Sequence, residues 1–391
     1  MGAKFMKTLG IGVVGYGFIG KVHTVSFLDL PFYYKPMPAK VKLVGVCSSP
    51  IEDAKEGMEQ AGFEFATEDY KELLARKDID IIDICTPNNL HKDVIINALK
   101  AGKHICCEKP LAMNLSDAKE MLDAANEHPE LISQVCFNYR YAPVVMRAKQ
   151  LIEEGFLGRP YSARVCYLHA GNSDPNRPTY WKIQKKYCGG GSSYDLASHV
   201  IDITRYLLGD FKKVFSKLET FVKERPVAGK PGEKAPVDVD DLAILLFEME
   251  NGLIGTLEAS KVATGANDEI RVEINGEKGT IRFNTMQPNF LEVYDTRDKE
   301  NPIGGMRGFK AIETVQRYPK PAASFPGPKF GVAWIRYHMG NAYELIKNIT
   351  ENTKPEASMY AGYKVQEIIE ASLISDAKKR WVDLPINLSI N

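Results

Sequence analysis

Three side chains stand where proton chemistry can be done: Lys109, Asp195 and His199. Lys109 closes an apolar run in Cys107-Glu108-Lys109-Pro110, and the following proline fixes the turn, so the lysine is held at a strand end. Its ammonium can hydrogen-bond a substrate oxygen and favour charge developing there. Asp195 and His199 follow three glycines, Gly189-Gly190-Gly191, which permit close approach of a ligand to the backbone. Four residues apart, they share a helix face, about 40° off register. A carboxylate so placed orients an imidazole and raises its basicity, and histidine is the natural proton acceptor near neutral pH. The competing reading is a plain polar pair on a solvated face, but apolar Leu196, Val200 and Ile203 flank it. No His-Glu-x-x-His and no third ligand at suitable spacing accompany His199, so no metal is expected.

These residues need elements to hold them. An apolar β-like run (Ile11, Val13, Val14) leads into Gly15-x-Gly17-x-x-Gly20, with Phe18 and Ile19 between the last two glycines, and a helix-compatible segment follows. That order is the dinucleotide fingerprint: Gly15 for the turn, Gly17 for approach to a pyrophosphate, Gly20 for helix–sheet packing. Further apolar runs at Val41–Cys47, Ile79–Cys85, His104–Cys107 and Ile132–Phe137 alternate with helical patterns at 51–61, 69–76, 90–101 and 116–127, the last with Ser116 as N-cap. Such alternation predicts βαβ units and a parallel sheet over residues 1–137. At the fourth strand's end, Thr86-Pro87-Asn88-Asn89-Leu90-His91 can meet a cofactor's ribose and nicotinamide, or simply open a helix capped by Asn89.

From Asn138 the pattern changes. Helices at about 142–154 and 194–208 accompany period-two segments at 161–169, 213–223, 241–248, 252–260, 269–275, 279–284 and 289–294. Residues 138–391 therefore read as an α+β domain with an open, mainly antiparallel sheet and helices on one face. Residues 223–241 and 299–330 read as long surface loops, and helices near 333–350 and 358–379 close the chain. Phe137-Asn138-Tyr139-Arg140 and Tyr180-Trp181-Lys182 interleave aromatics with cations, suited to a nucleotide or sugar.

Fifty basic and fifty acidic side chains cancel in these 391 residues, so no field favours nucleic acid or anionic membrane. No run of eighteen apolar residues predicts a bilayer span, and no apolar leader precedes the first strand. Seven cysteines without a Cys-x-x-Cys pair read as reduced core thiols in a cytoplasmic protein. An exposed face of the second sheet would need covering, which predicts a homodimer or homotetramer.

The chain resembles the glucose–fructose oxidoreductase / inositol dehydrogenase (Gfo/Idh/MocA) family over nearly its whole length. The resemblance rests on Gly15-x-Gly17-x-x-Gly20 with His23, Thr86-Pro87-Asn88-x-x-His91, Glu108-Lys109-Pro110 and Gly191-x-x-x-Asp195-x-x-x-His199. It implies an oxidoreductase in which Lys109 and His199, with Asp195 nearby, serve proton transfer while a hydride moves to or from nicotinamide. It further implies cofactor contacts from the glycine loop, Ser48, Ser49, Thr86, Pro87, Asn88, His91, Glu108, Lys109, Asn138, Trp181 and Lys182. Lys109, Tyr139, Arg140, Asp195 and His199 are then the substrate contacts. Within the family the chain is most similar to the levoglucosan and disaccharide 3-dehydrogenase branch, through Lys21-Val22-His23, the insertion Pro31–Pro38, Trp181-Lys182-x-Gln184-Lys185 and Pro236–Asp241.

Two positions depart from the pattern. Lys182 stands where the family has arginine, and a lysine cannot make the planar bidentate contact. The second strand ends in Ser48-Ser49-Pro50 without the acid expected for a ribose 2′-OH, and no arginine replaces it for a 2′-phosphate. NAD is expected, with NADP tolerated. The substrate expected is an uncharged sugar or polyol, since no arginine cluster suits a carboxylate or phosphate. The competing functions are a dihydrodiol- or biliverdin-type reductase on the same scaffold and a non-catalytic NAD(P) sensor.

Overall fold

A computed structural model describes residues 6–315, 325, 327 and 329–387. The chain divides into two compact units, Met1–Tyr141 with Pro319–Tyr363 and Ala142–Tyr318 with Lys364–Asn391.

The first unit opens with β1 (Thr8–Val14), α1 (Phe18–Tyr33), β2 (Lys40–Cys47), α2 (Ile51–Ala61), β3 (Phe65–Thr67) and α3 (Tyr70–Ala75). There follow β4 (Ile81–Ile84), α4 (His91–Lys100), β5 (His104–Cys107), α5 (Leu115–Glu127) and β6 (Ser133–Val135). The six strands form one parallel sheet in the order β3-β2-β1-β4-β5-β6. This is the Rossmann sheet, and the strand order reverses between β1 and β4, the place where such sheets bind ligands. The strands are apolar on both faces because helices cover both. Two local signals were misread. Helix α5 starts one residue early, and its N-cap is Asn114, whose side chain accepts from Asp117 N at 2.8 Å, rather than Ser116. Asn89 is exposed and does not cap α4, because a 3₁₀ turn over Asn88–Leu90 precedes that helix.

The second unit holds α6 (Pro143–Glu153), β7 (Pro160–Leu168), α7 (Lys185–Cys188), α8 (Ser192–Asp195), α9 (Ala197–Leu208) and β8 (Phe211–Glu219). The small pair β9 (Glu224–Pro226) and β10 (Lys234–Pro236) lies inside the stretch read as a loop. Strands β11 (Leu242–Met249), β12 (Ile254–Ser260), β13 (Glu269–Gly276), β14 (Gly279–Asn284), β15 (Phe290–Asp295) and β16 (Lys310–Glu313) follow. The chain ends with α10 (Ile335–Glu351), α11 (Met359–Lys378) and β17 (Val382–Asp383). Nine strands pair as β16-β15-β14-β13-β7-β12-β11-β8-β17, antiparallel throughout except for β7 beside β12. Alternate residues such as Ala163, Val165 and Tyr167 are buried, and α9 packs on β7 and β12. The opposite face exposes Ile244, Leu246, Ile254 and Phe290 and carries a depression of about 500 Å³ that includes Arg164, Glu273 and Arg282.

Helix α10 belongs to the first unit, although the sequence reading put all of 138–391 in the second domain. Its Met339, Ala342, Tyr343, Leu345 and Ile346 complete the core that includes Leu9, Ile11, Phe27 and Leu30. The ring of Tyr343 stacks on Tyr34 with centroids 4.0 Å apart. No local pattern announces this return, because any amphipathic helix satisfies the same periodicity. Of the stretch 299–330 read as a loop, residues 316–324, 326 and 328 lie outside the described residues. Among the described residues, no helix is long and apolar enough to cross a membrane.

Candidate active site

The glycine loop of the first unit is sealed at two corners and open at the third. Gly15 has φ +94°, and a Cβ there would sit 2.7 Å from the Cys85 carbonyl oxygen, so strand ends β1 and β4 touch through it. A Cβ at Gly20 would fall 2.1 Å from the Gly15 carbonyl oxygen, which locks α1 onto the turn. A Cβ at Gly17 would meet nothing within 4 Å. Gly17 also serves as the N-cap of α1 without any side-chain bond, leaving the helix N-terminus to an anion. Phe18 beside it is 76% exposed. At the end of β2, Ser48 is half-buried and its hydroxyl accepts from Tyr16 N at 3.3 Å, while Ser49 is exposed. Glu52 and Asp53 sit in the first turn of α2.

Beyond β4, Thr86 Oγ1 is buried with no hydrogen-bond partner among the described residues. Such an atom is costly unless something outside the chain satisfies it. A dinucleotide cofactor fits these residues: an open Gly17, an uncapped helix N-terminus and an orphaned hydroxyl on the neighbouring strand end. Asn88 is buried and Pro87 half-buried in the same turn. His91 is placed differently from the expectation of a cofactor contact. Its Nδ1 and Nε2 face the main-chain oxygens of Leu111 and Thr86 at 3.2 and 3.1 Å, and burial lowers its pKa. It therefore ties the loop after β4 to the loop after β5.

Glu108, at the end of β5, belongs to a buried charged network. His23 Nδ1 lies 3.0 Å from both carboxylate oxygens of Asp83, and His23 Nε2 lies 3.2 Å from Glu108 Oε1. Burial disfavours a charged ring, but Asp83, together with Cys85 and Cys136, outweighs it and raises the His23 pKa. Burial likewise opposes the Glu108 charge, yet the His23 hydrogen bond and charge hold its pKa far below the ordinary carboxylate range. The other Glu108 oxygen accepts from Lys109 N at 3.2 Å, which fixes the backbone from which half-buried Lys109 projects. Beside the network, burial and the His23 charge depress the His338 pKa to about 3. Its Nε2 lies 3.0 Å from Asn138 Nδ2. Tyr139 and Arg140, expected at the substrate, are buried, with the Arg140 guanidinium over the Phe137 ring and the Tyr139 ring 5.9 Å from that of Tyr337.

In the second unit the expected helix over 194–208 is divided at Leu196, where the His199 N–H bonds to the Leu196 carbonyl. Asp195 ends α8 and His199 lies in the first turn of α9, so the helical spacing is only approximate. Asp195 is held by two lysines: Lys182 Nζ at 3.0 Å from Oδ1 and Lys261 Nζ at 3.2 Å from Oδ2. Lys182 thus pairs with a carboxylate inside its own unit while its ammonium lies over the Trp181 ring. Lys261 is buried; desolvation works against its charge, but Asp195 more than restores it and raises its pKa. Its contact with Asp195 is an ion pair without hydrogen-bond alignment. His199 is buried with its ring 5.8 Å from that of Tyr167, whose hydroxyl donates to Asp268.

Sequence reasoning missed Lys261 and the reason for Asp240. The Asp240 carboxylate accepts from Gly191 N at 3.0 Å and from Ser193 N at 2.7 Å, capping the short helix that ends in Asp195. A Cβ at Gly191 would stand 1.7 Å from the Asp240 carbonyl oxygen, so only glycine fits. These partners are separated by roughly fifty residues or more in the chain, and no spacing rule reports them.

Residues 9–135 match the family described as "Oxidoreductase family, NAD-binding Rossmann fold", and residues 145–282 match "GFO/IDH/MocA C-terminal domain". A levoglucosan dehydrogenase of Pseudarthrobacter phenanthrenivorans is 37% identical over 391 residues, 97% of this chain and 99% of that protein. A myo-inositol 2-dehydrogenase of Thermotoga maritima is 29% identical over 289 residues, 73% of this chain and 78% of its own. A structure described as levoglucosan dehydrogenase in complex with NADH and levoglucosan superposes with a TM-score of 0.92 at 37% identity, covering 97% of this chain and 100% of that one.

Proposed function

Because the chain belongs to the GFO/IDH/MocA family of NAD-binding oxidoreductases, we propose that it oxidises a ring hydroxyl of an uncharged cyclic polyol or glycoside to a ketone. The observation that carries this reading is the glycine loop, closed by main-chain contact at Gly15 and Gly20 and open at Gly17, with the orphaned Thr86 hydroxyl on the next strand end. The Gly15–Gly20 loop, Ser48, Ser49, Thr86, Pro87 and Asn88 would hold the dinucleotide. NAD, when bound, supplies the hydride acceptor. The absence of an acid at Ser48-Ser49 removes one repulsion of a 2′-phosphate, so NADP is tolerated.

His199 serves as proton acceptor for the reacting hydroxyl, and Lys109 as the hydrogen-bond donor that favours the developing alkoxide. Asp195, held between Lys182 and Lys261, steers the imidazole. Similarity to levoglucosan and inositol dehydrogenases supports this substrate class over a flat apolar reductant target, and the presence of both Lys109 and His199 argues against a sensor. Chains pair into a homodimer or homotetramer through the exposed sheet face of Ile244, Leu246 and Phe290.

The test is NADH formation with levoglucosan, inositols and glucosides. Lys109→Met and His199→Asn should each lower kcat by about 10²–10⁴-fold. Unchanged turnover in either variant overturns the assignment of that residue, and no turnover on any polyol overturns the substrate class.

A further inference from the structure

Four potential metal ligands meet in the interior of the first unit, drawn from four separate parts of the chain. His23 lies in α1, Glu108 follows β5, Cys136 follows β6 and His338 lies in the first turn of α10. All four are buried, and their ligand atoms lie within 4.8 Å of one another. Among these separations, His23 Nε2 to Glu108 Oε1 is 3.2 Å, His23 Nε2 to Cys136 Sγ is 3.4 Å, and Cys136 Sγ to His338 Nδ1 is 3.6 Å. Edges of this length, about 3.4 Å, are those of a tetrahedron whose centre lies about 2.1 Å from each corner, the distance at which zinc binds nitrogen and oxygen, with sulfur slightly farther; the remaining edges are no longer than 4.8 Å.

We propose that His23 Nε2, Glu108 Oε1, Cys136 Sγ and His338 Nδ1 form a closed binding site for a zinc-class divalent cation. One thiolate, two imidazoles and one carboxylate are the donor set of a borderline-soft ion, and neither calcium nor magnesium takes sulfur. The outer contacts match those of metal-ligating histidines. The other nitrogen of His23 faces both Asp83 oxygens at 3.0 Å, and the far nitrogen of His338 faces the Asn138 amide at 3.0 Å. With a metal on Nδ1, His338 carries its proton on Nε2, and a turn of the Asn138 amide presents its oxygen. The thiol proton of Cys136 and the Nε2 proton of His23 leave to solvent on binding. Cys106 forms an overlapping trio with His23 and Asp83, but His23 binds through one nitrogen at a time, and the four-ligand set completes a coordination shell.

Four protein ligands leave no open position, so the ion is structural: it pins α10 to α1 and to the ends of β5 and β6. It also anchors Glu108, whose second oxygen holds the main chain of Lys109.

The experiment uses the full chain, expressed with zinc in the medium, gel-filtered and analysed for metal, then exchanged with Co²⁺. The expected result is one zinc per chain and a cobalt–thiolate charge-transfer band. Cys136→Ser should lose the band and at least tenfold in bound metal, while Cys106→Ser keeps both. Zinc-free wild type that stays zinc-free after incubation with Zn²⁺ overturns the site, as does a cobalt form without a thiolate band. If Cys136→Ser does not fold, those wild-type measurements decide alone. A band that survives in folded Cys136→Ser also overturns it.

Discussion

Replacing Lys261 with methionine removes one charge from the Asp195 cluster while keeping most of the side-chain volume, so no cavity complicates the result. At 3.2 Å from Asp195 Oδ2, the ammonium gains about 5 kcal/mol of Coulomb energy at an effective dielectric of about 20. Burying it costs several kcal/mol, and Lys182 still neutralises Asp195 after the change. The expected net loss is about 1–3 kcal/mol, which for a unit of this size lowers Tm by about 2–12 °C. Lys182, whose side chain is 35% exposed against 6% for Lys261, should cost no more than about 1 kcal/mol when changed to methionine. Thermal unfolding of the two single variants, with a double-mutant cycle through Asp195→Asn, measures the difference. In the cycle, Lys261 should couple to Asp195 by about 1–3 kcal/mol. If Lys261→Met melts at or above the wild-type temperature, or shows no coupling, Asp195 is not held by this lysine. The account of how its charge is maintained then fails.

Gly17→Ala should leave Tm within about 2 °C, since open space receives its Cβ, yet weaken NADH binding tenfold or more by fluorescence. Gly20→Ala should destabilise the fold outright, because its Cβ would collide with the Gly15 carbonyl. Burial lowers the pKa of His104, whose Nδ1 accepts from Ile132 N at 3.0 Å. The unfolded chain therefore takes up this proton first as pH falls below about 6.5, and stability declines by at most about 1.4 kcal/mol per pH unit from this group. His104→Asn, which retains an acceptor, should flatten that part of the urea-unfolding profile, and an unaltered slope would contradict it. Arg225 is fully buried and donates to the carbonyls of Asn172 and Asp174. Arg225→Met leaves both unsatisfied, costing about 2–5 kcal/mol, and should expose residues 172–174 to limited proteolysis.

The parts of this fold that are local were legible in the sequence. Periodicity located α2, β13 and β14 to within a residue, because each is defined by the alternation of its own side chains. The glycine loop was legible because its three glycines answer steric demands made within six residues. What escaped depends on distant partners. Lys261 is an ordinary strand-end lysine until Asp195 is placed beside it, and His338 is an ordinary helical histidine until Cys136 and Asn138 face it. His91 was misjudged for the opposite reason: its motif position suggested a ligand, whereas its two nitrogens answer main-chain oxygens.

The return of α10 to the first unit gives the nascent chain an order of events. Strands β1 to β6 leave the ribosome early, but the core around Leu9, Phe27 and Leu30 lacks Met339, Leu345 and Ile346 until roughly 200 more residues are made. At about 5–20 residues per second that delay is about 10–40 s. During it eight of the nine strands of the second unit's sheet, all but β17, are synthesised while the dinucleotide unit still shows an apolar groove. A fragment ending at Tyr141 would keep that groove permanently. The unit whose sequence is most recognisable is therefore completed only when Tyr363 has been made, and truncation after its final strand should yield aggregate rather than a small nucleotide-binding domain.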